Sequence, residues 1–129
     1  NAGGAIFLTD DIKTVANKIK VAETAFEGVM NEKLESHILV AKGLAKTESE
    51  RDEVDATIQA HKSGKPVMGQ FKQLLTRIVQ SFIEEFQAKR AEITRDPSYI
   101  PSVLEEGVKV ARENAIETLN EVRKALRFD

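Results

Sequence analysis

Residues 69–94 set the architecture of the chain and read GQFKQLLTRIVQSFIEEFQAKRAEIT. Apolar side chains recur in this segment three and four positions apart, which is the spacing of one helical face. They are Phe71, Leu74, Leu75, Ile78, Val79, Phe82, Ile83 and Phe86. An apolar face of this width exceeds the narrow seam of a two-stranded coiled coil. The segment is therefore predicted to be the central helix of a bundle, covered on several sides.

Three shorter helices are predicted before it, over residues 9–28, 31–43 and 47–63. Their predicted caps are Thr9-Asp10, Asn31 and Thr47, and their predicted ends are Gly28, Gly43 and Ser63-Gly64. The third start is a capping box, in which the Thr47 hydroxyl and the Glu50 carboxylate each accept from a free backbone N–H. Lys65-Pro66 then separates the third helix from the central one.

A last helix is predicted after Pro97 and Pro101. Its apolar stripe consists of Leu104, Val108, Ala111, Ala115, Leu119, Val122 and Leu126. This stripe is narrow, as in helices that pair along one seam, and we expect it to pack along the central helix. No segment alternates with period two, so no strand is predicted. The fold class is thus predicted to be all-α, a bundle of four to five helices with a central helix at about residues 69–94.

Composition narrows the function classes. The 129 residues include no Cys, so disulfides and thiolate metal sites are excluded. With 19 basic and 21 acidic residues the formal net charge is −2. A nucleic-acid-binding domain is usually basic, so any contact with RNA has to come from a local patch.

Catalytic and metal-binding patterns are weak. The only histidines are His37 and His61. Neither has a second metal ligand at the spacing that would place both on one face of a helix. We therefore expect surface or capping histidines and no metal site. Ser36 and His37 are neighbours, which do not face each other on a helix. No catalytic residue is therefore assigned.

One basic constellation stands out near the break before the central helix. Lys62, Lys65 and Lys72 surround that break, and Gly69 leaves the N-terminus of the following helix accessible. Lysines beside free backbone N–H groups are suited to phosphate or base-edge contacts. The alternative is a solvated turn. Lys89-Arg90 is a second cluster with the same two interpretations.

The order of these elements resembles the C-terminal part of the tryptophanyl-tRNA synthetases, which are class I aminoacyl-tRNA synthetases. The similar stretches are AIFLTD (5–10), SGKPVMGQFKQLL (63–75), FQAKR (86–90) and the C-terminal segment from Ala111 to Ala125. The first of them resembles the segment after the Lys-Met-Ser-Lys-Ser loop of that family. Residues 26–29 and 43–46 depart from the family pattern, and the related tyrosyl enzymes stay an alternative.

The resemblance implies a helical anticodon-binding domain at residues 9–129, preceded at residues 1–8 by the remnant of a linker from an absent catalytic domain. It implies tRNA as a partner and Lys72, Lys65, Lys89 and Arg90 as candidate tRNA contacts. Of these, Lys72 occupies the lysine of the family's Gly-x-Leu-Lys turn. ATP and Mg²⁺ would serve the parent enzyme, and no cofactor is expected in this part.

The resemblance further implies a cytoplasmic protein that is inactive alone, since neither the His-Ile-Gly-His nor the Lys-Met-Ser-Lys-Ser motif occurs in the 129 residues. A homodimer is a further expectation. The alternative function is a helical protein-interaction or dimerisation module that uses the Leu104–Leu126 stripe and binds no RNA.

Overall fold

A computed structural model describes residues 4–126 of the chain, and within that range the chain forms five α-helices and no strand. The helices are α1 (Ile12–Val21), α2 (Glu32–Leu44), α3 (Glu48–Lys62), α4 (Met68–Thr94) and α5 (Tyr99–Ala125). The prediction of an all-α bundle with a long central helix and a long last helix is therefore confirmed. The chain divides into two compact units, one up to Ala88 and one from Lys89.

Helix α4 supplies the largest share of the core in the first unit. Six of its apolar side chains are buried, and Phe71 is fully inaccessible to solvent. They pack with buried side chains from α1, α2, α3 and the α2–α3 connection, which are Val15, Ile19, Leu34, Ala41, Ala45, Val54 and Ile58. Phe82 and Phe86 are only half-buried. The broad face predicted for this helix is thus real, but its Phe82–Phe86 end lies at the margin of the core.

Helix α1 is shorter than predicted at both ends. Asp11 is its N-cap, because the Asp11 carboxylate accepts from the backbone N–H of Thr14 at 2.9 Å. Asp10 instead accepts from the backbone N–H of Phe7 and pairs with the ammonium of Lys18. The helix ends at Val21, not near Gly28, so the predicted end was wrong.

The starts of α2 and α3 confirm the predicted caps. The Asn31 side chain accepts from the backbone N–H of Leu34 at 2.9 Å. In the capping box, the Thr47 hydroxyl accepts from Glu50 N–H at 3.2 Å, and the Glu50 carboxylate accepts from Thr47 N–H at 3.3 Å. These bonds use donors that would otherwise be unpaired at the helix ends.

Two glycine turns meet where α3 ends. Gly64 has φ +84 and closes α3 with two backbone bonds, from Gly64 N–H to His61 O and from Lys65 N–H to Ala60 O. This is the Schellman arrangement, which confirms the predicted end of α3. Gly28, with φ +75, stands in the loop between α1 and α2, and a Cβ added there would lie 3.8 Å from Gly64 Cα. A contact at that distance would be ordinary, so it is the left-handed backbone that favours glycine at residue 28.

Helix α5 differs from its prediction. It has no buried residue, and its stripe side chains Leu104, Val108 and Leu119 are each more than half exposed. The described residues thus leave the stripe exposed, and its packing along the central helix stays a prediction. The physical reason is that apolar periodicity identifies a face that gains by burial, but not the surface that covers it.

Phe71→Ala tests the assignment of the core. We expect the free energy of unfolding to fall by about 3–5 kcal/mol, because the substitution leaves a cavity around a fully buried side chain. Urea unfolding followed by circular dichroism measures the change. The matched control is Leu119→Ala on the exposed face of α5, for which we expect a change within about 0.5 kcal/mol. Equal losses for the two variants would contradict the assignment.

Candidate functional site

Lys72, the strongest candidate in the sequence, lies where the end of α1 meets α4. Its side chain is half-buried, and its Nζ donates to the backbone carbonyls of Lys20 at 2.9 Å and Ala22 at 2.6 Å. Carbonyls at a helix C-terminus have no partner within the helix and carry the negative end of its dipole. The ammonium therefore satisfies the end of α1 and ties it to α4.

Lys72 also lines a cleft of about 610 Å³ in the first unit. The walls of this cleft are mainly apolar and come from α1, α2, α4 and the segment before α1. They include Leu8, Val21, Val40, Phe71, Leu75, Val79 and Phe82. The polar side chains at the cleft are Lys18, Glu23, Thr24, His37 and Lys72. A concave apolar surface with a few polar groups is the usual form of a small-ligand or base-binding site.

His37 places a titratable imidazole on the wall of this cleft. It projects from α2 and is half-buried, and its Nδ1 is inaccessible to solvent with no hydrogen-bond partner in the described structure. Burial lowers the pKa of His37 below its ordinary value, and the positive charge of Lys72 lowers that pKa further. The neutral imidazole is therefore the form that the fold favours.

A second groove of about 760 Å³, lined by polar residue types, also borders Lys72. It is lined by Lys20, Gly69, Gln73, Thr76, Arg77, Gln80, Ser81 and Glu84 in addition to Lys72. The guanidinium of Arg77 is paired with the carboxylate of Glu53. Lys72 thus borders both the cleft and the groove, which makes it the best-placed of the predicted residues in the first unit.

Lys65 lies in the turn between α3 and α4. Its side chain is exposed, and it lines neither the cleft nor the groove. Helix α4 begins at Met68, one residue before the predicted Gly69. The structure therefore places Lys65 and Lys72 on either side of this helix start, but brings only Lys72 into a cavity.

Lys89 and Arg90 belong to the second unit. Both are exposed residues in the last two turns of α4. Their exposure is suited to contact with phosphates, which need accessible cations. They stay candidate contacts on the basis of the resemblance and this exposure.

His61 was missed by sequence reasoning. It is fully buried, so the expectation of a surface histidine was wrong for it. Its Nε2 donates to the carbonyl of Val29 at 2.8 Å and so holds the Gly28 turn against the end of α3. The spacing of apolar residues could have revealed this burial. His61 lies three positions after Ile58 and seven after Val54, which places it on the same buried face of α3.

The serines beside the histidines make local backbone bonds. Ser36 Oγ donates to Glu32 O, and Ser63 Oγ donates to Ala60 O. Among residues 4–126, no three His, Asp or Glu side chains form a group that could hold a metal ion. In the same range, no helix has the length and apolar character required to cross a membrane.

The amino-acid sequence is similar to sequences of one class of protein, the aminoacyl-tRNA ligases. The chain is similar over nearly its whole length to tryptophan–tRNA ligases. It is 30% identical to that of Treponema pallidum over 127 residues, which cover 96% of this chain and 37% of the relative. It is 32% identical to that of a Nostoc species over 127 residues, covering 95% of this chain and 36% of the relative.

A shorter stretch of the chain shows a higher identity to another relative. The tryptophan–tRNA ligase of Thermosynechococcus vestitus is 42% identical over 60 residues, covering 46% of this chain and 18% of the relative. The resemblance to tryptophanyl-tRNA synthetases is thereby confirmed, and the chain spans a little over a third of the length of the first relatives. No protein-family model matches the chain, and no solved structure matches it.

Replacing the ammonium of Lys72 tests its structural contact. We expect Lys72→Met to lower the free energy of unfolding by about 1–2 kcal/mol, because two helix-end carbonyls lose a charged donor. Urea titration followed by circular dichroism gives the value. The control is Lys65→Met, whose exposed side chain should leave stability within about 0.5 kcal/mol. Two equally small effects would show that the carbonyl contacts of Lys72 do not stabilise the fold.

The lowered pKa of His37 predicts a pH dependence of stability. Because the folded pKa lies below the unfolded one, the unfolded chain binds more protons, so stability is complete above pH of about 6.5 and falls as pH decreases through and below that value. Urea unfolding between pH 8 and pH 5 should show a smaller loss for His37→Gln than for the wild type. Identical pH profiles for the two proteins would contradict the assignment.

Proposed function

We propose that this chain is the tRNA-recognition part of a tryptophan–tRNA ligase and that it reads the anticodon loop. The observation that carries the proposal is the similarity to such ligases over about 95% of the chain. The all-helical fold and the absence of both class I signature motifs from the 129 residues agree with a role in binding. In this proposal, activation of tryptophan with ATP and Mg²⁺ belongs to another part of the ligase, and the protein works in the cytoplasm.

The surroundings of Lys72 support a specific manner of recognition. Single-stranded loops of RNA present unstacked bases, which proteins bind by stacking and by hydrogen bonds to the base edges. The apolar cleft beside Lys72 offers a surface for a base, and the groove that also borders Lys72 offers groups for a phosphate or a ribose. Lys65, Lys89 and Arg90 are exposed cations that would add phosphate contacts.

The carbonyl contacts of Lys72 define two ways in which it could act. In the first, its ammonium leaves Lys20 O and Ala22 O and binds a base edge. In the second, it stays on these carbonyls and positions the end of α1, which lines the cleft. The net charge of −2 implies weak and salt-sensitive binding in either case, since few phosphates are neutralised.

Binding by the isolated chain tests the proposal directly. We expect filter-binding titrations to show higher affinity for tRNA of the cognate tryptophan type than for the same tRNA with a replaced anticodon. The free energy difference should be about 1–3 kcal/mol, the scale of one base-edge contact. The affinity should also fall as salt rises. Equal affinity for both tRNAs at every salt concentration would contradict anticodon recognition.

The role of Lys72 is tested in a ligase that contains the whole of this chain. Lys72→Ala should weaken aminoacylation and leave pyrophosphate exchange, which reports amino-acid activation, nearly unchanged. If Lys72 reads a base, the loss should shrink for tRNAs already altered at that base; if it touches phosphate, the loss should be uniform. Lys13→Ala, on the exposed side of α1, is the control. An equal loss of aminoacylation and of pyrophosphate exchange would refute the proposal that Lys72 serves tRNA recognition and not amino-acid activation.

The second candidate function is protein association through α5. The observation that favours it is the exposure of the Leu104–Leu126 stripe. An absence of tRNA affinity together with concentration-dependent association of the chain would support this candidate over the first.

A further inference from the structure

The loop between α1 and α2 carries the most exposed of the large apolar side chains in residues 4–126. Phe26 is 85% exposed, and it lines neither the cleft nor the groove beside Lys72. An aromatic ring that is held in water gains free energy when another flat apolar surface covers it. Phe26 is therefore a candidate contact that lies outside the site around Lys72.

The backbone holds Phe26 in a fixed turn. The backbone N–H of Val29 donates to the carbonyl of Phe26 at 2.9 Å, and Gly28 between them has φ +75, as the third residue of a type II turn requires. The turn is also tied to α3, because Nε2 of the fully buried His61 donates to the carbonyl of Val29 at 2.8 Å. A ligand of Phe26 therefore needs to order little of the backbone on binding.

This turn packs against the turn that closes α3. A Cβ added at Gly28 would lie 3.8 Å from Gly64 Cα and 4.0 Å from the carbonyl oxygen of Lys62, which is van der Waals contact. Residues 26–29 and 62–65 thus form one surface, which we call the double turn. Its two halves are distant in the sequence and are joined by the contacts of the two glycines and of the buried histidine.

The double turn places two free cations near the exposed ring. Lys62 and Lys65 are exposed, and among residues 4–126 neither ammonium forms an ion pair. Chain geometry keeps the Cα atoms of Phe26 and Lys65 within about 17 Å of each other, a distance that a few nucleotides span. The double turn holds these two lysines and one acid, Glu27, so its net charge is +1, against −2 for the whole chain.

The start of α4 adds to the positive side of this surface. Helix α4 begins at Met68, three residues after Lys65, and a helix N-terminus carries the positive end of the helix dipole. A Cβ added at Gly69 would meet no atom within 4 Å, so this helix start is open to a ligand. The surroundings of the double turn therefore suit phosphate groups.

An exposed aromatic ring beside unpaired cations is the combination that binds single-stranded nucleic acid, where bases stack on the ring and cations contact the phosphates. We propose that the double turn is a second RNA contact, in which an unpaired base stacks on Phe26 and flanking phosphates contact Lys62 and Lys65. The inference rests on the proposed function, since tRNA supplies the RNA. It adds a site that is separate from the cleft and that tolerates any base, because every base has a π face.

Stacking is tested by fluorescence anisotropy of labelled tRNA titrated with the full chain. Phe26→Ala should weaken binding roughly tenfold, the size of one base–aromatic stack. Phe26→Leu should bind as weakly, because leucine is apolar but has no π face, whereas Phe26→Tyr should stay within about twofold of the wild type. The matched control is Leu39→Ala, a 75% exposed position on α2, which should not change the affinity. A leucine variant that binds as tightly as the wild type would overturn the stacking site.

The phosphate contacts are tested by the salt dependence of the same titration. The double variant Lys62→Gln, Lys65→Gln should reduce the slope of log affinity against log salt by about 1.4, since each contact to a single-strand phosphate contributes about 0.7. Lys13→Gln, an exposed lysine of α1 outside the double turn, should leave the slope unchanged. An unchanged slope in the double variant would overturn the phosphate contacts.

This inference and the proposed function fail in different ways. Because stacking tolerates any base, Phe26→Ala should weaken cognate tRNA and tRNA with a replaced anticodon by the same factor. A wild type that prefers cognate tRNA, with Phe26→Ala binding both tRNAs as the wild type does, would overturn only the stacking site. A wild type that binds both equally, but tenfold more tightly than Phe26→Ala does, would support the stacking site and overturn anticodon recognition.

A protein partner for the ring gives a further distinct result. In a ligase that contains the whole of this chain, Phe26→Ala should leave the melting temperature within about 1 °C of the wild type, because the side chain is exposed. A lower melting temperature together with unchanged tRNA affinity would assign Phe26 to packing against another part of the ligase and overturn the proposal.

Discussion

The first unit depends on the burial of the broad apolar face of α4. Six side chains of this helix are buried, and together they span more than three turns, from Phe71 to Ile83. One neighbouring helix cannot cover a face of that width, so side chains from α1, α2 and α3 all pack against it. At about 25 cal/mol per Å² of apolar area removed from water, this burial is the main driving force for the fold.

The burial of that face brings polar groups of the connections into the interior, and each of these has to find a partner. His61 is inaccessible to solvent, and its Nε2 bonds the Val29 carbonyl across two left-handed glycine turns. Lys72 does the same for the carbonyls that end α1. Since an unpaired buried polar group costs on the order of 1–3 kcal/mol, these two side chains are as much a part of the architecture as the apolar ones.

This double use of Lys72 bears on function. Lys72 closes helix α1 and also borders two cavities, so the shape of the cleft depends on the position of its side chain. His37 stands in the same cleft with its pKa lowered by burial and further by the charge of Lys72, so the fold favours its neutral form. The candidate site is therefore a feature of packing between α1, α2 and α4, and the overall charge of −2 does not describe it.

The sequence by itself determined the helical class, the caps at Asn31 and Thr47 and the central position of α4, because period, capping residues and breakers act within a few residues of the chain. It also identified Lys72 as a residue of interest. Only the tertiary structure decided that α1 ends at Val21, that His61 is buried, that Phe82 lies at the margin of the core and that the stripe of α5 is exposed. Two of these depend on a partner distant in the chain, which is Lys72 for the carbonyls that end α1 and Val29 for His61. A local pattern shows which face of a helix gains by burial, but the three-dimensional arrangement decides what covers it.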